Sequence, residues 1–413
     1  MIKYTRHVLD NGLTVICNTD TSTPFVSVNI LYKVGAKNED PNRTGFAHLF
    51  EHLMFGGSKH IPDYDTHVQK AGGENNAFTN NDYTNYYITI PASNIETALW
   101  LESDRMLALD FSQKSLDVQR NVVTEEFKQR YFNNPYGDIW LKLRPLAYKV
   151  HPYQWPTIGK NIDHITGATL EEVKDFFHRF YAPDNAILSI SGNITDTKAL
   201  ELVKKWFGDI APARYTRQAI PVEPQQTEER RLVCEHNKVP ADAIYKVYHM
   251  GERRSDNFYA CDIISDILSN GQSSRLYINL IKNGKLFSEI DAYITGDMDP
   301  GLFVFSGKLS EDVAIEEAEA AIQNEIDHFI EDPITERELQ KVINKTDARI
   351  SYSEINYQNK SANLAFFDYL GDIELINSES ERYARVSLDT LKQTAGELFS
   401  PNNCSTLWYL KEK

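Results

Sequence analysis

The sequence predicts an α+β protein of two homologous domains in tandem, each a mostly antiparallel sheet with helices packed on one face. Three observations carry this expectation. Short apolar segments of strand period alternate along the chain with longer segments of helical period. One helix, breaker and strand pattern occurs twice: Leu170-Glu-Glu-Val173-Lys174 with Tyr181-Ala-Pro183-Asp-Asn185 is matched by Leu388-Asp-Thr-Leu391-Lys392 with Phe399-Ser-Pro401-Asn-Asn403, each pair 218 positions apart. Between the copies, Ile220-Pro221-Val222-Glu223-Pro224-Gln225-Gln226 has linker composition, which predicts domains at 1–219 and 220–413.

The elements follow in order. A hairpin is expected from Tyr4–Leu9 and Leu13–Thr19, turned by Asp10-Asn11-Gly12, with a third strand at Val26–Lys33. Helical periodicity covers Gly45–Phe55, Tyr64–Ala71, Ile95–Leu107 and Leu116–Tyr131, while Asn76–Thr79 and Tyr83–Ile90 alternate as strands. Ala186–Ser191 closes the first copy and Thr406–Leu410 the second. In the second half, strands are expected near Leu232–Glu235, Ala243–His249, Ile290–Thr295 and Leu302–Lys308, and helices near Asp312–Phe329 and Glu336–Ser353.

With 413 residues, 41% hydrophobic and 25% charged, the chain has the composition of a globular protein large enough for two cores. Its formal charge of −16 disfavours nucleic acid or anionic lipid as the main partner and favours a peptide or protein. No apolar run approaches the roughly 20 residues of a membrane-spanning helix. Met1-Ile2-Lys3-Tyr4-Thr5-Arg6 runs directly into strand-like sequence without an apolar signal core, so the cytoplasm is the expected location. Cys17, Cys234, Cys261 and Cys404 show no paired spacing and read as reduced packing residues.

Within Gly45–Phe55, His48, Glu51 and His52 fall on one face of a helix. Imidazoles at i and i+4 can share one tetrahedral zinc, leaving the adjacent carboxylate to take a proton from water. Leu49, Phe50, Leu53 and Phe55 predict a largely buried helix, and a structural His–Glu cluster is the competing reading. A catalytic zinc needs a third protein ligand and an open position. Downstream, helical phase groups Gln119, Val122, Val123 and Glu126 on one face and directs Glu125 elsewhere, which makes Glu126 the candidate.

In these residues the chain resembles the inverted-motif (His-x-x-Glu-His) zinc peptidases that include pitrilysin, insulin-degrading enzyme and the mitochondrial processing peptidase. The resemblance implies one Zn2+ per chain on His48, His52 and Glu126, Glu51 as general base, and Gln119 in the place of a second acid. It implies a catalytic first domain and a metal-free second one. It also implies that Asn76, Ala77 and Thr79, within Gly73-Glu74-Asn75-Asn76-Ala77-Phe78-Thr79, lie on an edge strand that binds an extended peptide. Full enzymes of this kind enclose a chamber between two halves.

Two departures shape the expectation. Gln119 keeps hydrogen-bonding capacity but removes a negative charge. Ile281 and Ser288 stand where complete enzymes carry an Arg and a Tyr that hold the substrate carbonyl. A partner subunit supplying both groups is therefore expected, with a homodimer as the alternative. Nearby Arg275 and Tyr277 read as a solvated charge and a packing residue.

Overall fold

β-Branched and aromatic residues in alternation form six strands in the first half: β1 (Thr5–Val8), β2 (Thr14–Thr19), β3 (Phe25–Tyr32), β4 (Glu74–Thr79), β5 (Thr84–Pro91) and β6 (Ala186–Gly192). They make one sheet in the order β1-β2-β6-β3-β5-β4, antiparallel except for the parallel pair β2–β6. The structure is a computed structural model that describes residues 1–331 and 334–412. The second half contributes β7 (Arg230–His236), β8 (Ala243–His249), β9 (Phe287–Ile294), β10 (Leu302–Leu309) and β11 (Cys404–Lys411), in the order β7-β11-β8-β10-β9, with β7–β11 parallel. This is the order β2-β6-β3-β5-β4 repeated. Three strand starts, Phe25 and Ala243, Thr84 and Leu302, Ala186 and Cys404, keep the 218-residue offset seen in the sequence.

The helices follow the same repeat, and Leu170–Phe180 answers to Leu388–Leu398. Thr169 caps the first of these in a capping box with Glu172, and Ser387 caps the second through the Thr390 N–H. Strands and helices match the expected segments to within a few residues, with one exception. The segment expected as a single helix over Leu116–Tyr131 is an α-helix over Gln113–Phe127 that loosens into a π-helical turn over Lys128–Asn133. No helix among the described residues is long and apolar enough to cross a membrane. The four cysteines are free thiols, three of them buried.

The chain forms two compact units that are not contiguous in sequence. The first comprises 1–129, 155–221 and 351–378, and the second 130–154, 222–350 and 379–413. A single division at 219/220 therefore leaves out two exchanged segments. Each carries a helix: Ile139–Ala147 belongs to the second unit and Tyr357–Leu370 to the first, and they too begin 218 positions apart.

Strand alternation assigns these helices to a definite sheet face. In the first unit, Tyr32 meets Tyr86 and Tyr181 on one face, at 5.9 and 4.7 Å between ring centroids. The opposite face presents Ser27, Asn29, Ser189 and Ser191, all buried, and Ser27 shares a 2.9 Å hydrogen bond with Ser361 of the Tyr357–Leu370 helix. In the second unit, Ile139, Leu143 and Ala147 cover a face made of Ala243, Tyr245, Val247, Leu407 and Tyr409. The first exchanged helix thus meets an apolar face, the second a face rich in small polar side chains.

Leu364 is fully buried on the Tyr357–Leu370 helix. Leu364→Ala should lower the unfolding free energy by about 2–5 kcal/mol, the usual cost of such a cavity, as read by urea denaturation.

Candidate metal centre

The helix Phe46–Leu53 is short, and its apolar residues Phe46, Ala47, Leu49, Phe50 and Leu53 are buried. Phe50 anchors it through contacts of 5.0 Å with both Phe176 and Tyr181. Gly45 begins it in a left-handed conformation, φ +91°, with no room for a side chain: a Cβ there would lie 2.6 Å from the Ile158 carbonyl oxygen. A glycine N-cap has no side chain to serve the first-turn N–H groups. Glu39 does so from upstream, accepting from Gly45 N on Oε2 and from Ala47 N on Oε1, both at 2.8 Å. Burial pushes the Glu39 pKa up to about 8, against the pull of those N–H bonds toward the charged form.

Glu39 ends a strap that begins at Gly35. Ala36 N and Lys37 N donate to the carbonyls of Asn80 and Asn81, at 3.1 and 2.9 Å, in the turn that follows β4. Lys37 and Asp82 form a buried ion pair of 2.8 Å. Gly35 permits this approach, because a Cβ on it would sit 2.5 Å from Asp82 N.

The Gln113–Phe127 helix, capped by Ser112, delivers Glu126 to the face of the two histidines. Glu126 Oε2 lies 3.6 Å from His48 Nε2 and 3.4 Å from His52 Nε2. One ligand atom from each of the three residues lies within 4.8 Å of the others. A tetrahedron with metal bonds of about 2.0–2.2 Å has edges of about 3.3–3.6 Å, so the carboxylate-to-imidazole spacings fit a zinc ion between them. Two imidazoles and a carboxylate are also a zinc donor set. His52 and Glu126 are only part-buried, with side chains 26% and 28% exposed, which leaves one side of the cluster open. Glu125 is 72% exposed and pairs with Lys128 at 2.7 Å.

Residues 14–140 match the family model described as insulinase (peptidase family M16), and residues 167–346 match that described as peptidase M16 inactive domain. The zinc protease PqqE of Helicobacter pylori is 30% identical over 416 residues, an overlap of 98% of this chain and 92% of that relative. The chain belongs to peptidase family M16. A solved structure of a protease from Helicobacter pylori superposes with TM-score 0.93 at 27% identity, covering 99% of this chain and all of that one (100%). The periplasmic protease PqqL of Escherichia coli superposes with TM-score 0.79 at 18% identity, covering 99% of this chain but 47% of that one. An M16 chain of this size thus corresponds to about half of the longer fold.

Within this M16 scaffold, Glu51 is half-buried, and its charge is felt by the buried phenols of Tyr86 and Tyr181. Burial raises the pKa of both phenols well above the usual value, so they stay neutral. Beneath the same helix, Arg105 is buried and pairs with Glu102, Nε to Oε2 at 2.9 Å. Its guanidinium lies 4.3 Å from the Tyr86 ring centre, 4.7 Å from Tyr64 and 5.5 Å from Phe55. Gln119 is half-buried beside Gly56, just past the helix, its Nε2 3.7 Å from where a Gly56 Cβ would lie. Val122 does not share the buried face expected for it, being 45% exposed. At about 100° per residue it falls beside exposed Val118 and Glu125, whereas the buried face centres on Leu116, Val123 and Phe127.

β4 is the edge strand of its sheet, paired with β5, and the Phe46–Leu53 helix packs against it. Asn76 is exposed and its Oδ1 accepts from Ala77 N at 2.8 Å, while Ala77 and Thr79 are half-buried. In the second unit Ile281 packs against the apolar core, and Ser288 Oγ donates to the Lys308 carbonyl at 3.2 Å. Arg275 is not the solvated charge expected: Glu338 accepts from its Nε at 2.9 Å and the Phe329 ring lies 5.2 Å away. Sequence reading missed Glu39, Lys37–Asp82 and Arg105–Glu102. An acid six positions before a helix-starting glycine was the one available signal, and it lies outside local capping spacing.

Gly45→Ala should cost at least the ~1–2 kcal/mol of a left-handed residue, since the backbone around Ile158 must also move. The shift of the urea midpoint measures it.

Proposed function

We propose that this chain is a zinc endopeptidase subunit that hydrolyses short or unfolded peptides inside a chamber completed by a second half. The observation that carries this reading is the clustering of His48, His52 and Glu126, in which the two carboxylate-to-imidazole distances match edges of a zinc tetrahedron. Bound there, zinc supplies Lewis acidity, which acidifies water and polarises a carbonyl. His48, His52 and Glu126 hold it and leave a position open. Glu51, one residue from His52 on the helix, takes the proton of the attacking water and passes it to the departing amine. Gln119 supports the site as a neutral hydrogen-bonding group.

The open edge of β4 receives the peptide as an added strand, with Asn76, Ala77 and Thr79 beside the scissile bond. Such a mode selects extended chains and excludes folded ones. The developing oxyanion needs donors aimed at it, and Ile281 and Ser288 are committed to the core and to a backbone carbonyl. A homologous second subunit supplies the missing Arg and Tyr in this reading; two copies of this chain lack both. The same observation favours one alternative, an assembly subunit whose zinc is structural.

Glu51→Gln separates the two. It should keep about one zinc per chain by metal analysis, and peptide cleavage should fall on the order of 100-fold or more. Cleavage equal to the parent removes Glu51 from the chemistry. For the partner, zinc-loaded chain alone should turn over a quenched peptide about 100-fold more slowly than a mixture with a homologous chain bearing the Arg and Tyr. Equal rates refute the two-subunit reading.

A further inference from the structure

We infer that Glu39 is a positioning residue of the metal centre: by holding the start of the His48–His52 helix to the Gly35–Glu39 strap, it sets how tightly the three ligands bind a metal. The inference rests on the zinc reading above. Glu39 is 6% exposed and lies outside the ligand set. Both of its oxygens are used, one by Gly45 N and one by Ala47 N. Ala47 precedes His48, so a change at this contact moves the first ligand before anything else.

No other group on the helix can take this role. Its N-cap is Gly45, without a capping side chain, and a helix of eight residues has too few internal bonds to hold its own ends. The strap is fixed at its far end by the Asn80 and Asn81 carbonyls and by the Lys37–Asp82 pair. Trp155 Nε1 donates to the Ala36 carbonyl at 3.0 Å and fixes its middle. Glu39 thereby ties the ligand helix to the turn after β4, so ligand geometry and edge-strand position share one anchor. Supporting contacts of this kind commonly govern metal affinity by about 10–100-fold.

The test is Glu39→Gln, which replaces one acceptor by an amide NH2 facing a backbone N–H. Zinc dissociation constants are measured by competition with a chromophoric chelator, beside the parent and Ser361→Ala, a variant that removes a buried hydroxyl contact elsewhere in the same unit. Glu39→Gln should weaken zinc about tenfold or more and lower kcat with KM little changed. Ser361→Ala should lose thermal stability and keep the parent's zinc constant. Should Glu39→Gln fail to fold, Glu39→Asp, which keeps both acceptors on a shorter arm, is measured in its place and is expected to weaken zinc in the same direction. A folded Glu39 variant with the parent's zinc constant overturns the inference while leaving the zinc reading intact. A parent that binds no zinc overturns both.

Discussion

Two imidazoles four residues apart can serve one metal only if the short helix that carries them is held still, and that constraint organises the first unit. Eight residues form too few hydrogen bonds to be stable alone, so the helix exists through what surrounds it. Its apolar face is fixed by Phe176 and Tyr181, its start by Glu39, and the region just past its end by the aromatic rings packed on Arg105. The buried Arg105–Glu102 pair is a costly way to fill space, since apolar residues of equal volume commonly do as well. What it adds is direction, because a planar guanidinium stacked on Tyr86 and Tyr64 allows few arrangements.

The metal cluster and the edge strand reach each other through the same strap. Gly35–Glu39 touches the turn after β4 at one end and the ligand helix at the other. In the proposed function, peptide binding by strand addition and carbonyl activation at a metal need a fixed separation, and the strap, held by backbone hydrogen bonds at one end and by the Glu39 carboxylate at the other, supplies it. The second unit repeats the sheet order, and there Ile281 packs against the apolar core while Arg275 pairs with Glu338.

How much of this was legible in the sequence follows from the range of the interactions involved. Strand alternation and helix period located the strands and many of the helices, including Ile95–Leu107, Ala243–His249 and Glu336–Ser353 to the residue, but left Asp196–Phe207, Phe258–Ser269 and Tyr357–Leu370 unread. The His48, Glu51 and His52 face was legible because it depends only on helical phase. Glu126 was separable from Glu125 for the same reason, although phase alone misjudged Val122, which lies on the margin of the buried face. Glu39 was not legible, since its partners lie six and eight positions away across a loop. The exchange of Ile139–Ala147 and Tyr357–Leu370 was not legible either: neither helix was read from the sequence, and nothing local says which sheet each covers.

That exchange has a consequence for biosynthesis. A ribosome releases β1 to β6 long before Tyr357–Leu370, so one face of the first sheet must wait, uncovered, for most of the chain to be made. The waiting face mixes Leu31 and Ile187 with Ser27, Asn29, Ser189 and Ser191, side chains that tolerate water. In the second sheet the order is reversed. The Ile139–Ala147 helix is made first, and the face it covers, with Tyr245, Val247, Leu407 and Tyr409, can be apolar because its cover is already present when the strands emerge. Polarity in each sheet thus follows the order of synthesis as well as the final packing, and a chain permuted to begin at the linker would expose the apolar face for longest.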